Sequence, residues 1–271
     1  MKKIQDFFAQ FPVFTTKEFR EYFGLSEEKS TLHNRLRQYV KQKKIIRIRQ
    51  SLYYVVPAGQ DAEHLKTDPY LILSKLGEDS IVAYHSALEL LGYAHSTFFK
   101  YFYLSIKDKP VFSLQGAEYI SVQLPKAFTS STFQFGTEII YREGMPIMVT
   151  GRERSFVDCF DRPGYAGGYE EIYRSIQKFP YLSFEVLFEY LTILGKKVLF
   201  AKVGFFLEQH KEKFYVDDQF LSALEKQKPS NPVYFSSRQK PGKLVKRWNL
   251  VVPEIVINEG WNELWQFQEE K

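Results

Sequence analysis

Cysteine is all but missing from this sequence. The single Cys159 cannot close an internal disulfide, and no Cys/His spacing fits a zinc site, so neither covalent nor metal staples are expected. Long apolar runs are missing too, since none approaches the ~20 residues that cross a bilayer. The opening stretch MKKIQDFFAQFPVF has neither the long apolar region nor the small-residue cleavage site of a signal peptide. A cytoplasmic location is therefore expected, with no membrane partner. The patterns G-x-x-x-x-G-K-[ST], G-x-G-x-x-G and H-E-x-x-H do not occur, which removes local support for nucleotide cradles and zincin chemistry, and no cofactor is expected. Internal repeats and low-complexity tracts are absent as well.

What is present is core material. The chain has 271 residues, 44% of them apolar and 17% aromatic, enough for one large domain or two ordinary ones. Its net charge of +5 is unevenly placed: residues 1–56 hold twelve Lys/Arg against five Asp/Glu, or +7, which leaves −2 for the rest. A basic head on a near-neutral body suggests a module that binds a polyanion.

Within the head, Ile4, Phe7, Phe8 and Phe11 fall at helical spacing before Pro12. Thr15 with Glu18 reads as a capping box, followed by the apolar stripe Phe19, Tyr22 and Phe23 and a stop at Gly24. After the turn GLSEE, a third helix buries Leu32, Leu36, Tyr39 and Val40. The segment KKIIRIRQSLYYVV then reads as a hairpin, with Ile46, Ile48, Tyr53 and Val55 closing the small core and Arg47 and Arg49 on the other side. Its turn, near Gln50-Ser51, lacks the expected glycine or asparagine, so a longer loop is also compatible. Three helices and a hairpin in this order are the arrangement of a winged helix-turn-helix.

The outer face of the third helix carries Ser30, Asn34, Arg37, Gln38 and Lys41, with His33 at its margin and Thr31 beside it. All can donate hydrogen bonds, as base edges in a major groove require. Arg47 and Arg49 on the wing, with Lys44 and Gln50 flanking them, are expected at phosphates. The expected partner is double-stranded DNA. The bland alternative is a protein-docking module whose charge meets an acidic partner.

The predicted architecture is α+β: a winged helix-turn-helix at 1–57, then a larger mixed α/β domain at 58–271. PAGQDAEHLKTDP reads as a linker or entry strap between them. The body is expected to be β-rich over about 70–150, helical over about 151–230, and to close with strands over about 231–271. Helices are expected at PYLILSKLGEDS, YHSALELLG, RERSFVDCF (with a Thr150/Glu153 capping box), GGYEEIYRSIQKF, SFEVLFEYLTILG, KVLFAKVGFFLEQHKEKF and DDQFLSALEKQ. Strands are expected at KYFYLSI, AEYISVQL, TEIIYRE and MPIMVT, and GWNELWQF as a closing amphipathic turn.

Catalytic readings of the body are weaker than structural ones. Cys159 with His85 could form a nucleophile and base, yet a cysteine flanked by Phe156, Val157 and Phe160 is better read as core. Asp158 and Asp161 could share a cation but lack a third carboxylate at a compelling spacing, so no metal site is assigned. In DRPGYAGGYEE, Glu170 and Glu171 already occupy the helix N-terminus where an anion would sit. No catalytic residue is assigned, and no enzyme is expected.

The segment FTTKEFREYFGLSEEKSTLHNRLRQYVKQKKIIRIRQSLYYV resembles the N-terminal region of AbiEi-type antitoxins, regulators in type IV toxin-antitoxin and phage abortive-infection operons. YHSALELLGYA, GRERSFVDCFDRPGYAGGYEEIYRSI and WNLVVP resemble that family's body motifs. The resemblance implies an autorepressor that binds inverted repeats in its own promoter, with self-association possible on DNA. It also implies a body that counteracts a nucleotidyltransferase toxin without needing a stable complex with it. The residues carried over are Ser30, Asn34, Arg37, Gln38, Lys41, Arg47 and Arg49; the Gln50-Ser51 turn departs from the family's frequent glycine. RERSFVDCFDRP carries over as a motif without a chemical role. Two other readings are open: a transcription factor sensing a small ligand, and a metal-dependent nuclease or phosphoryl-transfer enzyme.

Overall fold

In the computed structural model, residues 3–25, 29–129, 132–236 and 241–260 are described, with the side chains of 29–31 outside that description. The head begins with α1 (Ile4–Gln10), β1 (Val13–Thr15), α2 (Thr16–Phe23) and α3 (Lys29–Lys41), followed by β2 (Ile45–Arg49) and β3 (Leu52–Val55). Thr15 caps α2 in a reciprocal box with Glu18, and Gly24 ends it at a φ of 60°, where a Cβ would be strained. The three strands form an antiparallel sheet in the order β1-β3-β2.

The core of the head gathers Phe7, Phe14, Phe19, Leu32, Leu36, Ile45, Tyr53 and Val55. Two sequence expectations are corrected here. Ile45, not Ile46 or Ile48, is the buried residue of β2, because it pairs with Val55 on the core face while Ile46 and Ile48 are only half-buried. Val40 is exposed, at the margin of the α3 stripe. The hairpin turn is the short one: Gln50 and Ser51 alone join the strands, with Ser51 at a φ of 62° and a register shift between Arg47 and Arg49.

The chain divides into two compact units, and the head belongs to the first, which comprises Met1–Val82, Phe98–Gln123 and Glu138–Val149. The stretch after β3 is tied down along its length: Leu65 is buried, Glu63 pairs with Lys43 at 2.7 Å, and Tyr54 Oη accepts the Asp68 N–H at 3.2 Å. Asp68 caps α4 (Pro69–Leu73), which is much shorter than the predicted helix. After β4 (Ile81–Val82) and α5 (His85–Leu90) come β5 (Lys100–Ser105), β6 (Phe112–Leu114), β7 (Ala117–Gln123), β8 (Thr137–Arg142) and β9 (Met145–Thr150). They form a mixed sheet ordered β6-β7-β5-β4-β9-β8, with β5/β7 and β4/β9 parallel.

The second unit, Ala83–Thr97, Leu124–Thr137 and Thr150–Lys271, is mainly helical. It contains α6 (Arg152–Asp161), a 3-10 turn at Pro163–Ala166, α7 (Tyr169–Ile176), α8 (Phe184–Leu194), α9 (Lys197–Gln209), α10 (Lys211–Phe214) and α11 (Asp218–Lys226). The Thr150/Glu153 capping box is not formed. Gly151 is the N-cap, Thr150 Oγ1 bonds Ser155 Oγ, and Glu153 accepts the Ser183 N–H at 2.8 Å. The helix predicted through 214 breaks at His210, whose Nδ1 bonds the Phe206 carbonyl. A small sheet of β10 (Val233–Tyr234), β11 (Lys243–Val245) and β12 (Leu250–Val252) follows, in the order β10-β12-β11, then α12 (Glu254–Ile257). The amphipathic turn expected at GWNELWQF falls beyond Gly260, outside the described residues. The chain is a mixed α+β protein, and among the described residues no helix is long and apolar enough to cross a membrane.

Candidate nucleic-acid interface

One feature of composition sets up the site: from Lys29 to Gln60 the chain has eight Lys/Arg and not one Asp or Glu. Leu32 and Leu36 anchor α3 to the head core, and that fixes which residues turn outward. His33, Asn34, Arg35, Arg37, Gln38 and Lys41 are all exposed. Ser30 and Thr31 lie in the first turn of the helix, their side chains outside the described residues. Lys44 is exposed, with its ammonium 6.0 Å from the centre of the Tyr39 ring. The outward face of α3 can therefore present amide, imidazole and guanidinium groups together, with no carboxylate on the helix to compete for them.

The hairpin residues divide. Arg47 is exposed, its Nε 3.4 Å from the Arg49 carbonyl. Arg49 is half-buried: its Nη2 donates to the Leu76 carbonyl at 3.1 Å and its guanidinium lies 5.3 Å from the centre of the Phe112 ring. Gln50 is exposed at the turn. Arg49 and Gln50 line a cleft of about 330 Å³ with Thr15, Thr16, Lys17, Arg20, Ser51 and Lys75. Sequence reasoning missed Lys17, Arg20 and Lys75. The i, i+3 spacing of Lys17 and Arg20 on α2 was a readable signal, whereas Lys75 arrives through tertiary folding. Two of these cations are compensated: Lys75 pairs with the capping carboxylate of Glu18, and Lys17 with Glu78 at 2.9 Å. Hydrogen bonding to Glu78 raises the Lys17 pKa and lowers that of Glu78.

The body residues weighed for chemistry form ion pairs and core contacts. Burial, with the nearby charges of Asp158 and Glu171, pushes the Cys159 thiol well above its ordinary range, the reverse of what a nucleophile needs. His85 is buried with its Nε2 3.3 Å from Glu171 Oε1. Asp158 accepts the Tyr190 hydroxyl at 2.5 Å and lies 3.6 Å from Arg154, while Asp161 takes Lys196 at 2.7 Å. The two aspartates thus serve different cations. Among the described residues no group of three His, Cys, Asp or Glu could hold a metal ion.

An outward helix face rich in donors beside a basic hairpin suits a regulator that works on nucleic acid. Residues 2–56 match the family model described as a transcriptional regulator, AbiEi antitoxin. Among solved structures, the crystal structure of the RV2827C protein from Mycobacterium tuberculosis is similar, with a TM-score of 0.63 and 16% identity over 93% of this chain and 90% of that one. At that identity the likeness shows the fold alone. No curated protein matches the chain.

Proposed function

We propose that this protein is a DNA-binding repressor and the antitoxin of a type IV toxin-antitoxin operon, acting in the cytoplasm. The head, residues 1–57, is a winged helix-turn-helix in this reading, supported by the element order α1-β1-α2-α3-β2-β3 with β1 paired to β3. Asn34, Arg37 and Gln38 read base edges in the major groove, with His33, Ser30 and Thr31 at the entry of the helix. Lys41, Lys44 and Arg47 neutralise phosphates, and Arg49 and Gln50 act from the cleft they share with Lys17 and Arg20. The operator is an inverted repeat in the protein's own promoter. The body, residues 58–271, counteracts a nucleotidyltransferase toxin encoded beside it, without a stable complex between them.

The observation that carries this reading is the exposed, acid-free outer face of α3. Two assays test it separately. Band-shift titration on the upstream DNA should give a specific complex that the Asn34→Ala/Arg37→Ala/Gln38→Ala variant fails to form. Co-expression with the neighbouring toxin should be survived with the full chain, and death of those cells would remove the antitoxin half of the proposal.

A further inference from the structure

β8 ends one side of the six-stranded sheet. It turns into β9 through two residues, Glu143 and Gly144, with φ values of 49° and 76°, the primed geometry of a tight hairpin. Such a turn makes Arg142 and Met145 a hydrogen-bonded pair. Beyond the other end, Gly151 N donates to the Gly136 carbonyl at 2.8 Å, in the same register. Glu138, Ile140 and Arg142 therefore direct their backbone groups toward β9, whereas the N–H and C=O of Ile139 and Tyr141 point to the open edge.

Natural sheets commonly guard such an edge with lysine or proline, and β8 has neither. Instead, Ile139 is 55% and Tyr141 72% exposed. The strand, TEIIYR, is also complementary to itself. Laid antiparallel on a second copy and centred on Ile140, it sets Ile139 opposite Tyr141, the residues whose backbone groups point outward, so both pairs exchange N–H···O bonds. The same register sets Glu138 opposite Arg142 on both sides of the axis. Asp68 holds Arg142 Nε, yet the side chain keeps 45% of its surface exposed and has further nitrogens for a second carboxylate. Centring on Arg142 instead would bring two arginines face to face.

We propose that the protein self-associates through β8, two copies joining antiparallel about a twofold axis at Ile140 so that one sheet continues into the other. The seam is short, below the roughly 1,200 Å² of a standard interface, so the association is weak and concentration-dependent. It stands independently of whether the head binds DNA.

The register makes the test specific. In this pairing Ile140 meets its own copy at a non-hydrogen-bonded position, where Cα atoms are about 4.5 Å apart, within the roughly 4.4–6.8 Å a disulfide spans. The native Cys159 is buried, so background crosslinking is small. In the full chain, Ile140→Cys should form a disulfide-linked dimer under mild oxidation, and Glu138→Cys, which faces Arg142 rather than itself, should not. Sedimentation velocity of the unmodified chain should show dimer growing with concentration. Tyr141→Pro, which removes an N–H not used by β9, should abolish it with an unchanged circular dichroism spectrum; if that variant does not fold, Tyr141→Lys replaces it. Equal crosslinking of the two cysteine variants, failure of Ile140→Cys to crosslink, a chain monomeric at its highest soluble concentration, or undiminished dimerisation of the folded Tyr141 variant would overturn the proposal.

Discussion

Arg49 Nη2 donates to the backbone carbonyl of Leu76 at 3.1 Å. A cation at the hairpin tip, proposed above as a phosphate ligand, is a structural tie within the first unit, so substitution at Arg49 can be told apart from substitution at Arg47. Arg47→Ala should reduce the slope of log K against log salt by about 0.9 without moving the melting temperature. Arg49→Ala should also destabilise the fold, by about 1–2 kcal/mol for a lost charged hydrogen bond to a carbonyl. Thermal melts and salt titrations of both variants check this, and identical behaviour would contradict it.

Gly204 lies against Trp248, which is wholly buried and donates from Nε1 to Glu208 Oε2 at 2.6 Å. A Cβ at Gly204 would come within 2.2 Å of Trp248 Cζ3, an atom of a rigid ring. Alanine is the better helix former by about 1 kcal/mol, but overpacking of this kind costs about 1–3 kcal/mol. Gly204→Ala should therefore lower the urea midpoint, and a raised midpoint would show that the indole yields.

Arg154 is wholly buried on α6, donating from Nη1 to the Phe133 and Phe135 carbonyls at 2.7 Å, beside Asp158. Burial raises the Asp158 pKa, and the Arg154 charge and the Tyr190 hydroxyl work against that rise. Removing the guanidinium alone strands the carboxylate, so Arg154→Met should cost about 3–5 kcal/mol. Adding Asp158→Leu should recover part of that loss. Chemical denaturation of the single and double variants decides it, and additive losses would refute the pairing.

Glu171 accepts the N–H groups of His95 and Ser96 at 2.9 and 3.0 Å and the Ser175 hydroxyl at 3.0 Å. Burial opposes ionisation, but these bonds and His85 prevail and hold its pKa at about 2, against an ordinary 4.5. The folded value is depressed, so its contribution is complete above pH 4.5 and is lost as pH falls toward 2. The size is on the order of 1–3 kcal/mol. Stability measured across that window should fall less steeply for Glu171→Gln than for the natural chain, and parallel curves would contradict the assignment.

How far the sequence could be read depended on the length of each signal. The Thr15/Glu18 cap, the Gly24 stop and the Leu32/Leu36 stripe were legible because each is a local pattern. β1 and β4 were not, being three and two residues long, too short for alternation to register. Ile45 was missed because β3 is buried along its whole length, so alternation on β2 did not say which face was the core. Thr150 and Glu153 have the spacing of a cap yet serve Ser155 and Ser183, contacts that spacing cannot foretell. In the candidate site, the α3 face followed from periodicity, whereas the Arg49–Leu76 tie and the arrival of Lys75 in the cleft are tertiary.

In the proposed function the head grips duplex DNA in a sequence-dependent way. Anisotropy titration of the full chain on its own upstream DNA and on an unrelated duplex, repeated across a salt series, decides this. Roughly 10³-fold or greater preference for the upstream DNA is expected. The expected salt slope is about −3.6 to −5.4, for four to six phosphate contacts at about 0.9 each. Equal, salt-insensitive binding to both duplexes, or no binding to either, would contradict it.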